Sequence, residues 1–241
     1  MHSDSDMTFC TERPPMSSWS DRPICAFDLE TTGRDPSTAR IVSACVAVID
    51  GSNVETRTWL LDPGVDIPAD ASAIHGISTE YAARHGQNYA EGYEEIRDAL
   101  HNSWARDHAV VAFNASYDLT VMHAEGLRIG KPAFVPGLVI DPYVIDRAMD
   151  TFRKGKRTLA AVCEHYGISL ESAHEAEADA KAAAALAREL AVRFPDLLGL
   201  DLMVDQADWH AERQRDFAEY LLSQGRDVGD VHGQWPIRVI A

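Results

Sequence analysis

Residues 24–33 read ICAFDLETTG and contain the pattern on which the fold prediction rests. The apolar run at its start is typical of a buried strand, and Thr-Thr-Gly at its end predicts a turn. Asp28 and Glu30 stand two residues apart near the end of this strand, so their side chains leave the same face. Two carboxylates held together in this way repel each other unless a proton or a cation lies between them. The stretch therefore indicates either a cation site or a solvated strand end with two surface acids.

The segments that follow predict a mixed sheet. Residues 41–49 and 54–61 are rich in β-branched residues, and Asp50-Gly51 between them fits a hairpin turn. Further strands are predicted at 108–113 and 138–140, and helices at 90–106, 115–126, 157–166 and 175–193. Three antiparallel strands followed by alternating helices and strands indicate an α/β fold.

Both ends of the chain differ in composition from its middle. Residues 1–20 are polar and lack the basic and then apolar pattern of a signal peptide, so we expect a flexible leader on a cytoplasmic protein. The main domain is expected at 21–195 and a helical extension at 196–241. In that extension, residues 206–224 predict a helix with one apolar stripe, which we expect to pack on its own domain. The members of the stripe are Trp209, Arg213, Phe217, Tyr220 and Leu221.

Composition narrows the class of protein. Hydrophobic residues make up 46% of the chain, which is enough for a core, and no stretch approaches the ~20 apolar residues that cross a bilayer. The four cysteines are far apart, so neither a zinc site nor a disulfide framework is predicted. The net charge of −16 is unusual for a protein that grips long duplexes. It leaves two options: a substrate other than nucleic acid, or binding confined to a strand end and bridged by divalent cations.

Two more acidic blocks accompany the first. In FNASYD, residues 113–118, a predicted strand turns into a helix, which places Asp118 in the first helical turn and Asn114 where it caps the helix or touches substrate. In HEAEADA, residues 174–180, His174 and Asp179 would point ~140° apart in a regular helix. We therefore expect His174 in the loop or at the helix start, while Asp179 points into the site. A fourth block, AIHGI at 73–77, carries His75.

The four blocks in this order resemble the DEDDh family of 3′→5′ exonucleases, and most closely the proofreading (epsilon) subunit of bacterial replicative DNA polymerases. RNase T and oligoribonuclease belong to the same wider group, and the resemblance runs from about residue 24 to residue 193. It implies an RNase H-like mixed five-stranded sheet flanked by helices, with the C-terminal helical extension beyond it. It also implies two divalent cations, Mg²⁺ or Mn²⁺, as cofactors.

The resemblance also assigns roles to individual residues. It implies that the two ions are held by Asp28, Glu30, Asp118 and Asp179, and that His174 is the general base. It implies substrate contacts for Thr31, His75, Asp70 and Asn114. Asp141 is expected to be structural, and a basic segment with Arg153, Lys154, Lys156 and Arg157 is either a nucleic-acid contact or a solvated loop.

The partner implied by the resemblance is a nucleic-acid 3′ end, with single-stranded DNA favoured over RNA. An RNA-directed exoribonuclease and a non-catalytic binding module of the same fold remain as alternatives. A glycosidase would need only two acids and would not require HEAEADA. A polymerase or repair partner is possible, because the family includes such subunits, and no membrane partner is expected.

Overall fold

The computed structural model describes residues 18–170 and 175–240. Its strands are β1 Ile24–Thr31, β2 Ile41–Asp50, β3 Asn53–Leu60, β4 Ala109–Val111 and β5 Val139–Ile140. Its helices are α1 Ala69–His75, α2 Thr79–His85, α3 Tyr89–Ala105, α4 Ala115–Arg128, α5 Pro142–Met149, α6 Leu159–Tyr166, α7 Ala176–Arg193 and α8 Leu202–Ser223. Most of the predicted leader lies outside the described residues. Trp19, close to its end, is buried in the core.

The five strands form one mixed sheet in the order β3-β2-β1-β4-β5. The first three are antiparallel, and Gly51 in the β2–β3 turn has a positive φ of 57°. β4 pairs in parallel with β1 and with β5. The prediction of an α/β fold with an RNase H-like five-stranded sheet is therefore confirmed, although β4 is shorter than predicted.

The alternation of side chains along β1 divides the core into two layers. Cys25, Phe27 and Leu29 face the layer that contains α3 and α4. Ile24 and Ala26 face the layer that contains α6 and α7. Because successive residues of a strand point to opposite faces, Asp28 and Glu30 continue the row of Ile24 and Ala26. The two acids therefore lie on the sheet face that α7 covers.

Alanine side chains allow α7 to approach the sheet closely. Ala180, Ala183, Ala184 and Ala187 are all buried, and α7 packs against β1 and β2. Small side chains leave little distance between a helix axis and a sheet, so a carboxylate on the first turn of α7 can reach the end of β1.

The main differences from the sequence prediction are local. The short helices α1, α2 and α5 were not predicted, because seven or eight residues hold too few turns for a clear apolar period. On α8, Trp209 and Leu221 pack inward, but Phe217 and Tyr220 are exposed. Arg213 is exposed as well, so the prediction that the whole stripe packs on its own domain is wrong at three positions; Gln206 and His210 lie on the buried side instead.

Residues beyond 195 make polar contacts with Asp141, which directly follows β5 and caps the N-terminus of α5. The Asp141 carboxylate accepts hydrogen bonds from the backbone N–H groups of Asn114 and Ala115, at 2.9 Å each. It also accepts one from Trp235 Nε1 at 3.2 Å, and the Gln206 side chain accepts a bond from the Asp141 N–H at 2.6 Å. Asp141 has the structural role expected for it.

Replacing Ala183 by leucine is expected to reduce the free energy of unfolding by about 1–3 kcal/mol, because the added carbons have no space between α7 and the sheet. Ala185→Leu is the matched control, since Ala185 is exposed on the same helix. Alanine and leucine have similar helix propensities, so the exchange itself should change the stability of the helix little. Urea unfolding of both variants measures the difference. Equal stability of the two variants would contradict the close packing of α7.

Candidate active site

Three carboxylates meet where β1 ends against α7. Asp28 and Glu30 come from β1 and Asp179 from the first turn of α7, and each offers an oxygen within 4.8 Å of the other two. All three side chains are half-buried. The structure thus brings together Asp28, Glu30 and Asp179, although they are up to 151 residues apart in the chain.

Burial and negative charge raise the pKa values of Asp28 and Glu30, the two acids of β1. Burial raises the pKa of Asp28 well above its usual range, and the neighbouring carboxylates of Asp118, Glu30 and Asp179 raise it further. Burial, followed by the charge of Asp179, raises the pKa of Glu30 from 4.5 to about 7. A bound proton or a cation is therefore required to offset the repulsion between the neighbouring carboxylates.

Asp118 lies beside this cluster and is held in place by the sheet. It is buried in the first turn of α4, and its Oδ1 accepts a hydrogen bond from the N–H of Leu29 at 3.1 Å. Its charge acts on Asp28, but it does not belong to the group of three whose oxygens converge. The predicted tetrad is therefore observed as three converging acids with a fourth anchored next to them.

The predicted substrate-binding residues line two cavities, one shared with Glu30 and the other with Asp28 and Asp179. Thr31, His75 and Asp70 line a cavity of about 140 Å³ beside Glu30. Burial lowers the pKa of His75, and its Nδ1 accepts a hydrogen bond from the N–H of Ile77 at 3.2 Å. These three residues come from β1 and α1, and the fold places them in one wall.

Asn114 lines the larger cavity, of about 610 Å³, together with Asp28 and Asp179. Its φ of 64° is in the left-handed region, which is uncommon for a residue other than glycine. Two roles were predicted for Asn114, helix capping and contact with substrate. Its side chain makes no cap hydrogen bond, so the structure does not show the capping role. Strained backbone of this kind is concentrated at functional sites.

Comparison with known proteins agrees with this geometry. The family model described as exonuclease (RNase T) matches residues 25–187. The chain is 31% identical over 161 residues to the PolC-type DNA polymerase III of Clostridium perfringens, and 32% identical over 164 residues to a DNA polymerase III subunit epsilon-like protein of Rhodobacter capsulatus. Each match covers 66% of this chain, but only 10% and 22% of the respective relative.

Among solved structures, E. coli exonuclease I in complex with a dT13 oligonucleotide superposes with a TM-score of 0.64 at 22% identity. That match covers 73% of this chain and 42% of exonuclease I, and it concerns the fold. The family match spans the sheet, α7 and all three converging acids. The chain belongs to the DEDDh exonuclease family.

His174, the predicted base, lies outside the described residues; Glu175, which directly follows it, is exposed and precedes α7. No helix within residues 18–170 and 175–240 is long and apolar enough to cross a membrane.

The ligand atoms that Asp28, Glu30 and Asp179 offer fit hard divalent cations. Its ligand atoms are carboxylate oxygens, which suit Mg²⁺ and Mn²⁺ better than zinc, for which nitrogen and sulfur ligands are usual. Burial is the main cause of the raised pKa values of Asp28 and Glu30, and neighbouring negative charge, which a bound cation would offset, raises them further. Asp28, Glu30 and Asp179 are the residues that could hold such an ion directly.

The basic segment is only partly available to a nucleic acid. Arg153 and Arg157 both bind the fully buried carboxylate of Asp146, with N–O distances of 2.7 Å. Arg153 also pairs with Asp150 at 3.2 Å, so both arginines serve internal ion pairs rather than an open basic surface, although Arg157 also lines the larger cavity. Lys154 and Lys156 are exposed, and Lys156 lines the larger cavity.

Sequence reasoning gave no role to three residues at the site. Tyr117 lines the smaller cavity, and its hydroxyl bonds to the Thr31 side chain and the Gly33 carbonyl. Tyr143 and Arg147 of α5 line the larger one. The available signal for Tyr117 was its place directly before Asp118; the signal for α5 was Asp-Pro after a strand, which is typical of a helix start.

Replacing Glu30 by glutamine is expected to stabilise the metal-free protein, and only at higher pH. Because the folded-state pKa is raised, ionisation of Glu30 destabilises the fold; this cost is absent below pH 4.5 and complete above about 7. The free energy of unfolding of the variant should exceed that of the wild type by about 3 kcal/mol at most at the upper end of this pH range. Urea unfolding in EDTA over this pH range measures the difference, and a difference independent of pH would contradict the assigned cause.

Proposed function

We propose that the protein is a metal-dependent 3′→5′ exonuclease that removes 5′-mononucleotides from the 3′ ends of single-stranded DNA. The observation that carries the proposal is the convergence of Asp28, Glu30 and Asp179 inside the region matched by the exonuclease family. Three close carboxylates, of which Asp28 and Glu30 have raised pKa values, are unfavourable in a protein that binds no cation, so a metal-dependent phosphodiester hydrolase accounts for them.

The preference for DNA is supported by the relatives. The two named above are a DNA polymerase and a DNA polymerase subunit-like protein, and the superposed exonuclease I holds a deoxynucleotide strand. End binding also suits the charge of −16, because few phosphates are contacted and the site's own acids are neutralised by cations. A polymerase or repair protein as partner remains a prediction.

In this proposal Asp28, Glu30, Asp118 and Asp179 hold two divalent cations, Mg²⁺ or Mn²⁺. Such ions, when bound, stabilise the charge on the attacking and leaving oxygens of the phosphate. His174 accepts the proton of the attacking water, for which an unperturbed histidine pKa is well suited. The water oxygen bonds to phosphorus, the bond from phosphorus to the 3′ oxygen breaks, and that oxygen takes a proton from solvent, which leaves a 5′-mononucleotide and a strand with a new 3′ hydroxyl.

The side chains around the cluster position the end of the strand. Thr31, His75 and Asp70 surround the terminal nucleotide in the smaller cavity beside Glu30. Asn114 contacts the strand in the larger cavity, on the side of Asp28 and Asp179. The scissile phosphate then lies at the carboxylates, between the two cavities.

Digestion of a 5′-labelled single strand, as DNA and as RNA, with Mg²⁺, Mn²⁺ or EDTA tests the proposal. We expect a metal-dependent ladder that shortens from the 3′ end, faster on DNA. Asp28→Ala and Asp179→Ala should each reduce kcat at least about a hundred-fold, because each removes a ligand for the cations. Faster digestion of RNA would assign the alternative exoribonuclease activity.

Glu175→Ala is the matched control for these variants. Glu175 is close to Asp179 in sequence, but it is exposed and makes no cap hydrogen bond, so its activity should equal that of the wild type. Hydrolysis that persists in EDTA, or near-normal turnover in Asp28→Ala, would refute the two-metal assignment. Binding without hydrolysis under all conditions would indicate a non-catalytic module.

The base role of His174 has its own test. His174→Ala should reduce kcat by about 10²–10⁴-fold and change KM much less, because a general base acts in the chemical step. Steady-state kinetics over a range of pH measures both parameters, and the limb of the kcat profile that depends on the base should be lost in the variant. A variant with a raised KM and unchanged kcat would exclude the role.

A further inference from the structure

A second groove adjoins the larger cavity of the active site. It has a volume of about 340 Å³ and lies between α5 and α8, where Tyr143 and Arg147 face Trp209 and Arg213. Tyr143 and Arg147 also line the cavity that contains Asp28 and Asp179. The α5–α8 groove, defined by these four residues of its two walls, therefore meets the active site at Tyr143 and Arg147.

The groove presents positive charge that the protein does not use internally. Within the described part of the chain, neither Arg147 nor Arg213 forms an ion pair with a carboxylate, in contrast to Arg153 and Arg157. The Arg147 guanidinium lies over the Tyr143 ring at 4.8 Å, and its buried Nε has no hydrogen-bond partner among the described residues. A guanidinium that stacks on an aromatic ring can still donate hydrogen bonds from its N–H groups, because these point outward in the plane of the guanidinium.

Two acids balance the two arginines of the groove. Glu212 and Asp216 also line it, and both are exposed, so they are well hydrated. The two arginines and two acids give the groove a formal net charge of zero, whereas the net charge of the protein is −16. A neutral groove with two unpaired arginines is a more favourable path for a polyanion than the rest of such a surface.

Aromatic rings beside arginines form the combination that binds single-stranded nucleic acid without sequence preference. Bases stack on aromatic faces, and guanidinium groups bind the phosphates. Tyr143 has an edge-on contact with Phe113 at 5.5 Å, which fixes its ring at the junction of groove and active site. Trp209 supplies a second ring farther along the groove.

The direction of the strand follows from the two cavities. In the proposed function the terminal nucleotide lies beside Glu30, on the side of Thr31 and His75, and the scissile phosphate lies at the carboxylates. The remaining strand then extends from the carboxylates into the larger cavity, which Asp28 and Asp179 line together with Asn114, Tyr143 and Arg147. We propose that the α5–α8 groove binds the nucleotides on the 5′ side of the scissile bond, an inference that rests on the proposed function.

The groove would then make the enzyme prefer longer strands. A dinucleotide ends at the active site, whereas a strand of about twelve nucleotides reaches Trp209 and Arg213. Arg213→Ala is expected to reduce the ratio of kcat/KM on the long strand to kcat/KM on the dinucleotide about ten-fold. The slope of log kcat/KM against log salt concentration on the long strand should also fall by about 0.7, the value for one lost phosphate contact on a single strand.

Arg215→Ala is the matched control. Arg215 is exposed on α8 two residues from Arg213, about 200° around the helix, and does not line the groove. This variant removes the same charge and should keep the wild-type ratio. An equal fall in both variants would overturn the proposal, because it would trace the effect to the net charge of the protein.

Equilibrium binding of a labelled twelve-nucleotide strand to the same proteins separates failure of this inference from failure of the proposed function. Weaker binding by Arg213→Ala than by Arg215→Ala, without hydrolysis by any protein, would refute the exonuclease and support the groove. Equal affinity and an unchanged length ratio would overturn the groove, whatever the hydrolysis, and would leave that surface to a protein partner.

Discussion

Electrostatic repulsion among the acids at the end of β1 is the constraint on which this structure depends. Asp28, Glu30 and Asp179 are held within 4.8 Å, and Asp118 is anchored beside them by the backbone of Leu29. Without the rest of the fold to hold them, these carboxylates would move apart or bind protons. The buried alanines of α7 and the apolar strand β1 hold the acids together, so the free energy gained by packing is partly used to maintain an unfavourable concentration of charge.

Much of this arrangement could be predicted from the sequence. The strands follow from their β-branched runs, and the shared face of Asp28 and Glu30 follows from the two-residue period of a strand. Their meeting with Asp179 could not be derived from local pattern, because it depends on how α7 crosses the sheet. There the family resemblance supplied the information, and the structure confirms that these three acids converge.

Other features depend on tertiary contacts that leave no local pattern. The basic residues Arg153 and Arg157 look like surface cations in the sequence, and only the burial of Asp146 between them reveals an internal ion-pair network. The groove between α5 and α8 likewise requires two helices separated by more than fifty residues. Roles that rest on the resemblance alone, above all that of His174, remain predictions.

The junction at Asp141 has a consequence for how the site is assembled in time. Asn114 is 27 residues from Asp141, but Gln206 is 65 and Trp235 is 94 residues away. Contacts of such long sequence separation form slowly, because the entropy of closing a large loop must be overcome first. Asp141, which holds the loop between β4 and α4, therefore acquires its full set of hydrogen bonds only after α8 and the segment with Trp235 have docked, so we expect the support of the catalytic surface to be completed late in folding.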